Sequence, residues 1–214
     1  MMKIIKSNVD KAAINGMPLA SFPGRVIVVQ SVSEAEKAVG YLSGQPIVGI
    51  DTETRPAFHK GQSFGVALVQ ISTADTCFLF RLNMIGFPPV LKNFFEAESP
   101  LKVGLSLRDD FSRLHRMRSF TQRGNVELQE YVKRMGMEAQ SLQKIFAILF
   151  GQKISKAQRL TNWEADVLTD AQKVYAATDA WACLKIYNEL EPLNASGDYI
   201  IEKEDEQDSS TEER

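Results

Sequence analysis

The stretch Ile47-Val48-Gly49-Ile50-Asp51-Thr52-Glu53 is where the fold and the chemistry meet. Ile47, Val48 and Ile50 make a strand, and two acids stand two residues apart at its end. Side chains alternate faces along a strand, so Asp51 and Glu53 point the same way. Two carboxylates delivered by a buried strand are costly to keep charged unless something cationic sits between them. A divalent metal with oxygen ligands is the simplest such cation. An Asp-X-Glu leaving a strand is also ordinary loop chemistry, so the rest of the chain must supply further ligands.

Composition sets the frame. The 214 residues suit one domain with a sizeable core, and 44% hydrophobic with 24% charged residues is ordinary for a soluble globular chain. The chain has no long apolar run and no signal-peptide layout at Met1, so the expectation is a cytoplasmic protein away from membranes. Cys77 and Cys183 lie far apart, which argues against a zinc site or a disulfide framework. His59 and His115 are isolated and read as surface or satisfied polar residues. From Asn194 onward eight acids face only Lys203 and Arg214, a charge of -6; against -2 for the whole chain, the remainder carries +4. A mildly basic body suits a nucleic-acid partner.

Taken in order, residues 1–24 hold Gly16, Pro18, Pro23 and Gly24 and read as an irregular lead-in. Arg25 to Gln30 is a β-branched strand, and Ser33-Glu34-Ala35-Glu36 is a capping box opening a helix that stops near Gly44. After the strand carrying Asp51, ended by Pro56, come strands over Val66 to Ser72 and Thr76 to Phe80, giving a three-stranded meander. Pro88 to Glu96 is a helix, Leu101 to Leu105 a short strand and Leu107 to Met117 a helix. Val126 to Met135 and Ser141 to Phe150 read as helices, and Gln152 to Trp163 as a basic connection. A capping box at Thr169-Asp170-Ala171-Gln172 opens the last helix, expected to stop at Pro192. Residues 193–214 read as an acidic, disordered tail. The pattern is α/β, a mixed sheet with helices packed on it.

A two-metal phosphodiester site needs about four carboxylates, from more than one element, around ions roughly 3.5–4 Å apart. Asp109 and Asp110 follow a strand at the start of a helix. Acids there are also ordinary dipole partners, but Asp110 stands four before Leu114, whose apolar face turns it toward the sheet. In the last helix Tyr175 and Asp179 are four apart and share a face. Asp179 lies among Ala176, Ala177, Ala180 and Ala182, and such small neighbours mark a close approach. The plainer reading is a tyrosine–aspartate pair on a wet face.

These three motifs together resemble the DEDD superfamily of 3′–5′ exonucleases. They are Asp51-Thr52-Glu53 with Pro56 following, Asp110-X-X-X-Leu114 after a Val-Gly strand, and Tyr175-Ala176-Ala177-Thr178-Asp179-Ala180 in a long helix. Their order and approximate spacing agree over roughly Arg25 to Leu190. VALVQIS, LTNW and LTDAQKVYAATDA are most similar to the branch of the Werner syndrome exonuclease domain and its bacterial relatives, with ribonuclease D further off. Tyr175, with Val174 where the other group has histidine, resembles the tyrosine type.

The resemblance implies a single ribonuclease H-like domain over 25–192, a mixed sheet flanked by helices. It implies 3′–5′ hydrolysis of DNA or RNA with two Mg2+ or Mn2+ ions, releasing 5′-nucleotides. Asp51 would bridge the ions, Glu53 and Asp179 would complete one site, and Asp110 would help hold the other. Tyr175 would orient the water, since a phenol is a poor base at neutral pH. The implied partner is a nucleic-acid 3′ end: single-stranded DNA or RNA, or a recessed duplex. Candidate phosphate contacts are Arg55, His59, Lys60, Lys153, Lys156 and Arg159, while the backbone of Thr52 and Glu53, with Phe111 or Trp163, would meet the terminal base or sugar. The competing class is a silent binding module on the same fold, which usually lacks a carboxylate; here all four and the tyrosine are present. A phosphatase or nucleotide-binding reading would want a Gly-rich phosphate loop, and the chain has none.

Overall fold

The computed structural model describes residues 2–203. The chain runs through β1 (Lys3–Lys6), α1 (Lys11–Asn15), β2 (Leu19–Ala20), β3 (Arg25–Val29), α2 (Val32–Ser43) and β4 (Ile47–Thr54). Then come β5 (Val66–Ser72), β6 (Thr76–Arg81), α3 (Leu82–Ile85), α4 (Pro89–Glu96), β7 (Leu101–Gly104) and α5 (Leu107–Met117). β8 (Asn125–Glu127), α6 (Leu128–Arg134), α7 (Leu142–Phe150), β9 (Lys153–Ile154), α8 (Asp170–Ser196) and β10 (Tyr199–Glu202) follow.

Six strands form one sheet in the order β3-β6-β5-β4-β7-β8. β4, β5 and β6 are the expected antiparallel meander, while β3, β7 and β8 pair in parallel. The sheet is therefore mixed, and it separates two apolar layers. Val48, Ile50, Val69 and Ile71 pack with α2, α4 and α5 on one face, where Phe94, Phe95 and Phe111 join them. On the other face Leu68 and Leu79 meet Ala176 and Ala177 of α8. β5 is buried at every residue, which is why Val66 to Ser72 reads as a near-continuous apolar run. β4 lies in the middle of this sandwich, so its end is a rigid place to hold side chains.

Several local expectations are corrected. The capping box of α2 is Ser31 with Glu34, not Ser33 with Glu36: the Ser31 hydroxyl accepts from Glu34 N at 3.2 Å and the Glu34 carboxylate from Ser31 N at 3.0 Å. Both pairs fit the Ser-X-X-Glu spacing, and the chosen one buries Ala35, Ala38, Val39 and Leu42. Val126 opens not a helix but a three-residue strand, too short to show a period, that pairs with β7 before α6 begins. Pro192 does not stop α8, since proline removes only its own donor and the helix runs on to Gly197, which takes a left-handed φ of 74°.

The ends of the domain change most. Residues 1–24 are not an irregular lead-in, because β1 pairs in parallel with β10 and β2 with β9. Nor is the tail disordered from residue 193: helix continues to Ser196, and Tyr199 and Ile201 pack on the core that holds Ile5. Their alternation with Ile200 and Glu202 is masked in the sequence by the charged company around them. Residues 204–214, the rest of that expected tail, lie outside the described residues. Among the described residues no helix is long and apolar enough to cross a membrane.

Candidate active site

Asp51 and Glu53 leave the sheet toward α8, and Asp179 meets them from that helix. Carboxylate oxygens of the three lie within 4.8 Å of one another. The approach depends on Gly49: a Cβ there would stand 1.9 Å from the Ala180 carbonyl oxygen. Bare backbone at Gly49 and small side chains on α8 let helix and strand touch, which brings Asp179 down to the level of Asp51. The small neighbours of Asp179 thus accommodate the β4 backbone.

The fourth acid arrives from α5. Asp110 accepts a hydrogen bond from the Thr52 hydroxyl at 2.6 Å, whereas Asp109 is exposed. Of the pair, Asp110 is thus the one beside the cluster, the side to which the Leu114 spacing turned it, with Leu114 and Phe111 buried beneath. The start of α5 is itself held in place. Ser106 takes a left-handed φ of 64°, and the Glu127 carboxylate accepts from Ser106 N at 2.9 Å and Leu107 N at 2.6 Å. The same carboxylate accepts from Gln129 N at 3.1 Å, so one side chain caps both α5 and α6.

The electrostatics are those of acids awaiting a cation. Burial, then repulsion from Asp110, Asp179 and Glu53, pushes Asp51 well above the carboxylate range. Burial, with Asp179 and Asp110 behind it, raises Glu53 to about 9, and the Arg159 guanidinium pulls the other way. Burial lifts Asp179 to about 7 against the opposing Tyr175 hydroxyl, and Asp110 to about 6 against the Thr52 hydroxyl. The Tyr175 phenol is itself pushed up by burial and by Asp179, Glu53 and Asp51. An all-oxygen donor set, crowded, desolvated and raised in pKa, fits hard divalent cations.

Two clefts lie near this cluster, and Asp179 lines the first. One, of about 590 Å³, is lined by Gln129, Gln140, Lys156, Arg159, Tyr175 and Asp179. The other, of about 640 Å³, opens past the end of β4 and shares Arg159. Of the substrate contacts expected from the sequence, Lys156, Arg159 and Arg55 line these clefts, Arg55 in an ion pair with Glu164 at 3.3 Å.

Three others are corrected. Lys153 turns away to the Asn15 carbonyl, 2.5 Å off. Trp163 has no exposed surface and packs its ring on Tyr175, 5.9 Å between centroids, so it supports the site from beneath. Phe111 is core. The Thr52 side chain is committed to Asp110, which leaves the expected contact to its backbone. Two residues passed over in the sequence belong to the site's frame. Glu127 is one, in a stretch read as helix. Gln70 is the other: it faces Asp51 across the β4–β5 register, fully buried, and neither amide atom has a partner among the described residues. A glutamine inside VALVQIS was the available signal.

Comparison with known proteins agrees with this geometry. The sequence profile of the 3′–5′ exonuclease family matches residues 26–194. The mouse bifunctional 3′–5′ exonuclease/ATP-dependent helicase WRN is 31% identical over 196 residues, covering 86% of this chain but only 14% of that protein. The Aedes aegypti Nibbler EXO domain superposes with a TM-score of 0.71 at 23% identity, over 80% of this chain and 89% of the other. Escherichia coli RNase D gives 0.71 at 20% identity, over 79% and 45%. The two structures establish likeness of fold, a ribonuclease H-like mixed α/β domain.

Proposed function

The chain belongs to the 3′–5′ exonuclease family, and from that membership we propose that Asp51, Glu53, Asp110 and Asp179 hold two Mg2+ or Mn2+ ions and that the chain trims nucleic acid from the 3′ end. The observation that carries this is the convergence of three carboxylates within 4.8 Å, with Asp110 fixed beside them by Thr52. When bound, two such ions activate a water and stabilise the leaving 3′ oxygen of an in-line displacement.

The chain's own groups do the rest. Asp51, central to the cluster, faces all three other acids, which suits a shared ligand. Tyr175 remains a phenol because its pKa is pushed further up, so it orients the attacking water through its hydroxyl and does not take the proton. The Thr52 hydroxyl holds Asp110 at a fixed rotamer, and Trp163 keeps the Tyr175 ring from moving. Lys156 and Arg159 face the phosphates of the bound strand. The product is a 5′-nucleotide.

The test is a time course on 5′-labelled single-stranded DNA, single-stranded RNA and a recessed 3′ duplex, with Mg2+, Mn2+ or EDTA, beside Asp51→Ala. The expected result is a metal-dependent ladder shortening from the 3′ end, lost in the variant. Full metal-dependent activity in Asp51→Ala would overturn the site.

A further inference from the structure

We propose that the second cleft is a phosphate track: it grips the backbone of a single nucleic-acid strand at phosphates beyond the one being cut. The inference rests on the exonuclease reading and adds residues that neither the motifs nor the acid cluster include, Arg113 and Arg116. The cleft is walled by Thr54 and Arg55 at the end of β4, Phe64, Arg113 and Arg116 on α5, and Arg159, and no acid among the described residues lines it.

Arg55 is paired with Glu164, while Arg113, Arg116 and Arg159 line the same cleft beside it; guanidinium groups so grouped repel one another, and an anion relieves that repulsion. Two of them are aimed. Arg55 lies over the Phe64 ring at 4.7 Å, and Arg113 donates to the Thr54 hydroxyl at 3.2 Å. Arg113, Arg116 and Arg159 are exposed and form no ion pair among the described residues.

Placement supplies the direction. Along α5, Arg113 and Arg116 follow Asp110 by three and six residues, about 4.5 and 9 Å further on at helical rise. Along β4, Arg55 follows Glu53 by two. Two separate elements therefore each lead from a metal-facing acid to a guanidinium in one cleft, and Arg159 spans the boundary to the other cleft. Consecutive cations leading away from the acids match consecutive phosphates of one strand. The other cleft, with its amides Gln129 and Gln140, offers no such series. Guanidinium forks are suited to phosphate oxygens, and such contacts carry affinity without reading sequence.

The experiment measures binding, independent of turnover. Anisotropy of a 5′-fluorescein single strand of about 12 nucleotides and of a labelled dinucleotide is followed in EDTA while salt is varied, for wild type, Arg113→Gln/Arg116→Gln and Arg116→Glu. Each phosphate contact to a single strand contributes about -0.7 to the slope of log affinity against log salt, so the double variant should lose about 1.4 of slope and about tenfold in affinity at low salt. The dinucleotide should show no such difference. An unchanged slope on the long strand would overturn the track, and an equal loss on the dinucleotide would move these arginines to the reacting end and overturn it too. Both positions are exposed, and Arg116→Glu should weaken the long strand more than any loss of folding explains, which a melting curve checks. Strand shortening that persists with an unchanged salt slope would sink the inference and leave the exonuclease reading standing.

Discussion

Asp51, Glu53, Asp110 and Asp179 destabilise one another, and the sign of the resulting pH dependence follows from their shifts. Asp179 sits near 7 and Glu53 near 9 in the fold, against about 4 in an unfolded chain. Through that window the folded state holds protons the unfolded state has released, so stability falls as pH rises. In EDTA the melting temperature should be lower at about pH 8.5 than at about pH 5.5, and Mg2+ or Mn2+ should erase the difference by binding the charged form. A flat metal-free profile would contradict the cluster's electrostatics. Thr52 offers a finer probe. Thr52→Val keeps the β-branched shape but removes the 2.6 Å bond to Asp110, a contact to a charged group of about 1.5–3 kcal/mol. Activity should fall about tenfold or more and the melting temperature by several degrees, because Asp110 loses the hydroxyl that holds it. Steady-state kinetics with a thermal melt of the same variant checks it. These four acids and Tyr175 were legible in sequence because each chemistry needs its own residue type at fixed spacing. Glu127 and Gln70 were not, since a carboxylate capping two helices and an amide facing a strand neighbour are defined by tertiary register alone.

At the scale of elements, the site is a contact between β4 and α8, and glycine makes that contact possible. Gly49→Ala would put a methyl 1.9 Å from the Ala180 carbonyl oxygen, backbone that cannot swing aside. The helix must shift, with a cost of about 1–3 kcal/mol and occasionally more for overpacking. Asp179 then moves off Asp51, so Mn2+ affinity should drop together with stability. Calorimetric titration beside a thermal melt tests both, and stability lost with metal affinity intact would separate the packing from the site. The elements themselves show where a sequence speaks. The β4–β6 meander was readable from runs of β-branched and apolar residues, and the start of α8 from its capping box of Thr169 and Gln172. β8 and β9, three and two residues long, carry no period at all and exist only because a neighbouring strand leaves an open edge. The α2 cap failed for a different reason: Ser31/Glu34 and Ser33/Glu36 obey the same rule, and only the burial of Ala35 and Leu42 decides between them.

For the molecule as a whole, the two ends of the chain close the fold together, which local pattern could not announce. β1 and β10 are nearly 200 residues apart in the chain yet pair in register, Ile5 beside Ile201. Ile5 is 2% exposed and shares a core with Leu128, Ile186 and Leu190, the layer that holds α8 against the sheet. The N-terminal segment is therefore part of the same cooperative body as the acid cluster, although it contributes no site residue. Ile5→Ala removes three buried carbons from that layer and should cost about 2–4 kcal/mol. Because one core would be weakened, urea unfolding should shift to a lower midpoint with an unchanged slope, in a single transition seen alike by circular dichroism and by tryptophan fluorescence from Trp163 and Trp181. An early separate transition, with the tryptophan signal unmoved, would mean that β1 and β10 form an appendage that can open while the exonuclease core stays folded. The expected coincidence makes a change at residue 5 act on the site more than a hundred residues away in sequence, because α8 supplies both Asp179 and the apolar face on which the closing strands rest.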